Sequence, residues 1–459
     1  MNILIKNSTI VNPDNTFKAD FLLQNGKIVD ISENIENTES VQTIDASGLY
    51  AFPGGIDPHV HMELPTPAGN SSDDFFTGSK AALAGGTTTV IDFVTPSRDQ
   101  SLLEALQKRK QVAEKSLIDF TFHMGITSYN KNTASEIIRC IEEGITSFKV
   151  YLAYRNTIGI GYDDLKNIMQ IIAKNRGTLA VHSEDGDEIN RLQQDFLSKG
   201  QTAPLYHALS HPENVESDAV AEVLKRAEET GCATYVVHVS AKRSIELIAQ
   251  HKSSGKIYAE TCPQYLFLDE TNYQKPLPDS LKYVISPPLR NKGSMNGLWQ
   301  HIESGAIDVI STDHCPFDTF GQKDVGKYDF TKIPNGAGGI EYRLALLYTY
   351  GVLENKNSLS RFVELISTNA AKIFGLYPHK GLIAVGSDAD IVLWNPNTES
   401  TISKQTQFQH CDSNIYEGIP VKGNAAYVIC NGNIVFADGK HSVENQKGRF
   451  LKRKTKNPY

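Results

Sequence analysis

The sequence predicts an α/β fold: a TIM-type (β/α)8 barrel carrying a small β-sandwich domain built from the N- and C-terminal segments. Two observations predict the barrel and a third predicts the added domain. Eight apolar, β-rich runs alternate with helix-like stretches over about 260 residues, the cadence of a parallel barrel. Polar residues recur at the ends of several of those runs, where a strand buried on both faces has no structural use for them. Both chain ends carry Asn-Gly between β-rich runs, a strong hairpin signal because a type I′ turn needs positive φ at both central residues. An open doubly wound sheet is the alternative arrangement of the same alternation.

From the N-terminus, "NILIKNSTIV" reads as a first strand and "FLLQNGKIVDI" (21–31) as a hairpin. "DADIVLWNP" and "YVICNGNIVFADG" (427–439) supply matching β structure near the other end, so the small domain is drawn as residues 1–53 plus 380–440. The barrel, 54–379, opens at "IDPHVHM" and continues through "TTTVIDFV", "DFTFHMGI", "SFKVYLAY", "GTLAVHSE", "CATYVVHVS", "KIYAETCPQYL" and "IDVISTDHC". Stretches such as "SLLEALQKRKQVAEKS", "TASEIIRCIEEG" and "ESDAVAEVLKRAEETG" supply the intervening helices. The tail, 441–459, holds the only dense basic stretch, "KGRFLKRKTKNPY", and reads as a subunit contact or solvated arm rather than a polyanion site.

Composition narrows the class. At 459 residues, 40% hydrophobic and 21% charged, the chain reads as a soluble, enzyme-sized protein with no apolar run long enough to cross a bilayer. The N-terminus lacks the basic region and cleavage-like site of an export signal, so cytoplasmic residence is expected. Six cysteines (Cys140, Cys232, Cys262, Cys315, Cys411, Cys430) with no CxxC pair argue against a disulfide framework and a zinc ribbon. A net charge of −8 disfavours nucleic acid as a partner. "LAGGTTTVIDF" has neither GxGxxG nor Walker spacing, which leaves a nucleotide site unsupported.

The strand-end residues carry the chemistry. In "GGIDPHVHMELP", His59 and His61 share one strand face because side chains alternate with period two. Lys149, His182, His238 and Asp313 lie toward the ends of the fourth, fifth, sixth and eighth strands, and in a barrel those ends converge on one mouth. Singly, each would be an ordinary hydrogen-bonded or ion-paired core residue. Together they form a nitrogen and oxygen ligand set suited to zinc or a similar transition metal. An ammonium among divalent cations would be repelled. The lysine fits if its ε-nitrogen is neutral and has added carbon dioxide, giving an anionic carbamate able to bridge two metals.

The H-x-H after "GGIDP", with "SFKVYLAY", "HSEDGD", "VVHVS", "ETCPQYL", "SPPLR", "STDHCPF" and "KIPNGAGGIEYR" in order, resembles the dihydropyrimidinase and hydantoinase branch of the cyclic amidohydrolases. The resemblance runs nearly end to end. It implies two zinc ions per subunit: one on His59, His61 and Asp313, the other on His182 and His238, with carboxylated Lys149 and a hydroxide bridging them. Asp313 would act as general base and then general acid, and Tyr154 would steady the developing oxyanion. Ser286 and Asn335 match positions that hold the substrate's N-C=O edge. His123 and His314 are expected either to orient ligands or to make core hydrogen bonds, and Cys315 to be structural. The family forms homo-oligomers, dimers or tetramers.

The implied reaction opens the cyclic amide bond of a 5,6-dihydropyrimidine or 5-substituted hydantoin to an N-carbamoyl amino acid, with a small cyclic ureide as partner. Dihydroorotases resemble this fold but carry Arg two residues after the second histidine, where this chain has Glu63, so an anionic ring is expected to be repelled there. "SSDDF" resembles the hydantoinase pattern more than that of the allantoinases. Thr66 and "RNTIGIGYDD" depart from the family and fall in loops that would face the ring substituent. An allantoinase-like or other cyclic imide hydrolase is the alternative, and a non-catalytic scaffold a third reading, in which the ligands are typically replaced.

Overall fold

The computed structural model describes residues 2–36, 41–98 and 100–455. The last four residues of the basic tail therefore lie outside the described residues. Near the N-terminus, β1 (Ile3–Val11), β2 (Thr16–Gln24), β3 (Lys27–Ser32), β4 (Gln42–Asp45) and β5 (Tyr50–Pro53) begin a mixed sheet. The barrel strands follow: β6 (Gly55–Val60), then, after the two-residue ribbon β7 (Pro65–Thr66) and β8 (Gly69–Asn70), β9 (Thr87–Val94), β10 (Asp119–Gly125), β11 (Ser147–Tyr151), β12 (Thr178–His182), β13 (Ala233–Val236), β14 (Ile257–Thr261) and β15 (Val309–Ile310). The chain then returns to the first sheet with β16 (Ile391–Thr401), β17 (Pro420–Cys430), β18 (Asn433–Ala437) and β19 (Lys440–His441), nine strands in all.

All eight sequence-derived barrel strands are present and pair in parallel, neighbour to neighbour. A bridge between Val60 and His314, with the His61 N–H donating to the His314 carbonyl at 2.8 Å, joins the last strand to the first. The glycine pair before β6 has a steric cause: a side chain at Gly54 would collide with Thr88 of β9. Both Asn-Gly turns form as expected, with φ of 52° and 74° at Asn25 and Gly26 and 52° and 77° at Asn431 and Gly432. The terminal sheet has its own apolar core, including Ile3, Phe21, Leu23, Ile391 and Ile429.

Inside the barrel, polarity changes along the strands. A layer of Ile56, Ile91, Ala180, Tyr235 and Val309 packs against Phe374 from the helix Asn369–Phe374. On β6 and β12 the later residues include His59 and His182, so this apolar layer forms a floor beneath the histidines. Each strand end is positioned by the burial of its beginning.

The tail departs from a solvated arm. Its backbone pairs with β10, Phe120 N–H donating to the Arg449 carbonyl at 3.0 Å and Leu451 N–H to the Phe120 carbonyl at 2.8 Å. Phe450 packs on Phe120 and Phe122, and the Arg453 side chain is buried, bonding Ser147 Oγ at 2.8 Å. Nearby, Asp119 at the start of β10 accepts from Lys380 Nζ at 2.6 Å and Arg449 Nη2 at 2.7 Å, while Lys380 also reaches Asp388 at 3.1 Å and contacts Asp390. This buried cluster joins barrel, terminal sheet and tail.

Removing one cation from it leaves carboxylates uncompensated. Lys380→Met is expected to destabilise the fold by roughly 3–5 kcal/mol, measured as a lower urea midpoint. Burial acts to raise the Asp119 carboxyl, but Lys380 and Arg449 outweigh it and hold it at about 2. The folded chain therefore binds fewer protons at Asp119 than the unfolded chain between about pH 4 and pH 2. The stability it contributes is present above that window and is lost as the pH falls through it.

Candidate metal centre

Every residue expected from the sequence to serve the site lines one cavity of about 730 Å³ at the barrel mouth: His59, His61, Lys149, Tyr154, His182, His238, Ser286, Asp313 and Asn335. The strand ends bring them there. His59 is the penultimate residue of β6, His61 follows the strand, Lys149 sits in β11 and His182 ends β12. His238 and Asp313 come just after β13 and β15, where the chain turns. Both take left-handed backbone conformations, φ 39° and 52°, as does Tyr154 at 58°. Such conformations cost non-glycine residues about 1 kcal/mol or more each, and here they aim side chains into the cavity.

The histidine nitrogens are sorted by carboxylates. Glu260 Oε1 lies 2.6 Å from His59 Nδ1, which directs His59 Nε2 toward Asp313 Oδ1 at 3.1 Å. His61 Nε2 meets the same oxygen at 3.2 Å. Across the cavity, Glu184 Oε2 holds His182 Nε2 at 2.7 Å, leaving His182 Nδ1 to face His238 Nε2 at 2.9 Å. Carboxylates behind imidazoles in this way fix ring orientation and the nitrogen presented to a metal.

The electrostatics call for positive charge at the centre. Burial works against an imidazolium at His59, yet Glu260 and Asp313 outweigh it and raise its pKa to about 9. A proton or a cation between those carboxylates meets the same demand. Asp313 resists burial's upward push and is held well below the usual carboxylate range by His59 and His61. At Lys149 burial dominates and pulls the ammonium down to about 7 against the opposing charges of Glu260 and Asp313.

Among the metal-ligand candidates, three buried nitrogens have no hydrogen-bond partner: Lys149 Nζ, His61 Nδ1 and His238 Nδ1. A fully buried lysine nitrogen with no acceptor is costly. The donor set, with four imidazoles, a carboxylate and an unpaired amine around one cavity, fits a pair of divalent ions better than it fits a closed core. His59, His61 and Asp313 each bring a ligand atom within 4.8 Å of the others, one of three such groups among the described residues and the one that lines the cavity.

On the opposite wall, Asn335 Nδ2 donates to Ser286 Oγ at 3.0 Å. Tyr154 is partly exposed at the cavity, and its phenol is held above its ordinary value by desolvation and by Glu184, opposed by hydrogen bonds from Ser286 and Asn335. The phenol is thus a proton donor at neutral pH.

Other expectations resolve differently. His123 bonds Ser147 Oγ and the Pro58 carbonyl, and His314 bonds Asp73 and the Gly339 amide, so both make core hydrogen bonds. Glu63 does not guard the cavity: its carboxylate pairs with Lys115 at 2.6 Å and does not line it. The local reason is its φ of 50°, which turns the chain away after His61. None of the described residues lining the cavity is arginine, so no guanidinium fork awaits a substrate carboxylate there. Thr66 and Ile158 do line it, from the two loops that depart from the family pattern. Sequence reasoning did not single out Glu260 and Glu184. Their signals were an acid inside the apolar run "IYAET" and an acid two residues after His182.

The amidohydrolase family profile matches residues 50–435. The D-hydantoinase of Geobacillus stearothermophilus is 41% identical over 457 residues, spanning 99% of this chain and 97% of that protein. Dihydropyrimidinase 2 of Caenorhabditis briggsae is 41% identical over 98% of this chain and 88% of its own length. The crystal structure of the dihydropyrimidinase from Brevibacillus agri NCHU1002 superposes with a TM-score of 0.98 at 40% identity, covering all of both chains. Nearly complete coverage, in sequence and in backbone, extends the likeness through the barrel and the terminal sheet alike. This chain therefore belongs to the amidohydrolase family, as a cyclic amidohydrolase of its dihydropyrimidinase and hydantoinase branch.

Proposed function

We propose that the chain opens a neutral cyclic ureide, a 5,6-dihydropyrimidine or a 5-substituted hydantoin, to the N-carbamoyl amino acid. The observation that carries this reading is the convergence of six metal-ligand candidates and three substrate-edge candidates on one cavity. The names of the relatives, hydantoinases and dihydropyrimidinases, support the substrate class.

His59, His61 and Asp313 would hold one zinc ion, His182 and His238 a second, and Lys149, carboxylated on Nζ, would bridge them with a hydroxide. Two such ions supply Lewis acidity toward the amide carbonyl and lower the pKa of a water toward neutrality. Ser286 and Asn335 hold the ring's N-C=O edge against that centre. Tyr154 donates its phenolic proton as a hydrogen bond to the carbonyl oxygen as negative charge develops on it. Asp313 accepts the proton of the attacking water and returns it to the ring nitrogen as the C–N bond breaks. The balance is one water added: hydroxyl to the carbonyl carbon, hydrogen to nitrogen.

The test is a steady-state assay of metal-analysed protein against dihydrouracil, dihydrothymine, several hydantoins, allantoin and succinimide. Ring opening of the first two groups with the higher kcat/KM is expected; no turnover of either group would refute the proposal. Tyr154→Phe is expected to lower kcat about 10²–10³-fold while metal content stays unchanged, as metal analysis beside the same assay will check. The chain is further proposed to work in the cytoplasm as a homo-oligomer, dimer or tetramer. Among the described residues no helix is long and apolar enough to cross a membrane.

A further inference from the structure

Lys323 lies outside the metal centre, yet its position is unusual. It begins the short 3-10 segment Lys323–Gly326 and is 1% exposed. Its neighbours able to carry negative charge are two thiols, Cys411 and Cys315, and among the described residues no carboxylate pairs with it. A buried amine without a counter-charge is expensive unless its hydrogens find acceptors. They do: Nζ donates to the Val284 carbonyl at 2.8 Å and to the Pro334 carbonyl at 2.9 Å.

Those two carbonyls belong to different loops. Val284 lies two residues before Ser286, and Pro334 immediately precedes Asn335. The Gly336 N–H also donates to the Val284 carbonyl, at 3.1 Å, so that oxygen receives a hydrogen bond from each side of the junction. Asn335 Nδ2 and Ser286 Oγ then meet at 3.0 Å on the cavity side. The segment after Lys323 is pressed onto the second loop, since a side chain at Gly326 would collide with Ile333. Two loops about 50 residues apart in the chain are thus tied by the Lys323 side chain together with the Gly336–Val284 backbone bond, and this junction lies behind Ser286 and Asn335.

We propose that Lys323 is a positioning residue for substrate: by joining the Val284 and Pro334 carbonyls, it fixes the spacing at which Ser286 and Asn335 grip the ring's N-C=O edge. This rests on the ring-edge reading of Ser286 and Asn335. An edge held equally in ground state and transition state contributes to KM more than to kcat. Arginine can keep two N–H donors in place, although its fork is wider than an amine. Methionine keeps the volume and loses both donors.

The experiment compares full-length, metal-loaded wild type, Lys323→Met and Lys323→Arg on the wild type's best cyclic substrate, with amide hydrogen exchange on the same samples. Lys323→Met is expected to raise KM at least tenfold and change kcat less than threefold, with unchanged metal content. Lys323→Arg is expected to recover part of the KM. Exchange should quicken at the amides of 284–286 and 335–337 and stay unchanged in β11. A folded Lys323→Met with wild-type KM and wild-type exchange in both loops overturns the proposal. If that variant does not accumulate folded, Lys323→Gln, whose side chain is one atom too short to span both carbonyls, replaces it: a raised KM supports the proposal and a wild-type KM overturns it. Wild type inactive on every ring would defeat the functional reading instead, while the exchange comparison still decides whether Lys323 ties the loops.

Discussion

Lys149→Ala is expected to lower kcat/KM about 10⁴-fold or more, the scale of a site that loses its paired-metal chemistry. It should also reduce bound metal below two ions per chain. The reason is structural: Lys149 is wholly buried, its Nζ has no acceptor, and it stands 5.1 Å from the ring centroids of both Phe93 and Tyr151 with no carboxylate bonded to it. A permanently charged substitute does not solve this, so Lys149→Arg is expected to fail equally. Protein prepared with ¹³C-labelled bicarbonate should show a carbamate carbon in wild type and none in either variant. Two metals per chain and near-normal turnover in Lys149→Ala would remove the bridging role.

Asp313→Asn is expected to cost about 10³–10⁵-fold in kcat, because one substitution removes two functions. Asp313 Oδ1 is the common partner of His59 Nε2 and His61 Nε2, at 3.1 and 3.2 Å. It is also the only carboxylate among the described residues lining the cavity, and so the one placed to accept and return a proton there. An amide keeps the shape and loses the charge and the basicity. Metal analysis separates the effects: a variant that still holds metal but does not turn over has lost the proton acceptor. Turnover within tenfold of wild type would show that another group moves the proton.

The scaffold reading loses support on the same geometry. A chain freed from catalysis has no reason to keep unsatisfied nitrogens at Lys149, His61 and His238 around a cavity, each of which burial penalises. Retained at such expense, they are better explained by a ligand that completes them.

Much of the fold was legible because the relevant signals are local. Period-two alternation put His59 and His61 on one face, apolar runs located β6 and β9–β15, and Asn-Gly marked both hairpins. Other features were not legible, because they depend on contacts between distant segments. Glu260 sits in a mostly apolar strand and reads as an anomaly until its carboxylate is seen against His59 Nδ1. Glu63 looked like a guard of the substrate pocket, and a backbone turn sends it to Lys115 instead. The tail reads from its sequence as a subunit contact or a solvated arm, and in the structure Arg453 and Arg449 bond the chain's own barrel.

By itself, the amino-acid order determined the alternation of strands and helices, the kinds of donor atom at the strand ends and the kind of chemistry those donors can support. These follow from side-chain periodicity and residue type, which need no knowledge of neighbours far along the chain. Tertiary structure alone decided which nitrogen of each imidazole faces inward, where Glu63 and the tail go, and that Lys323 joins the loops bearing Ser286 and Asn335. Those outcomes rest on hydrogen bonds a few ångströms long between groups that only the closure of the whole barrel brings together.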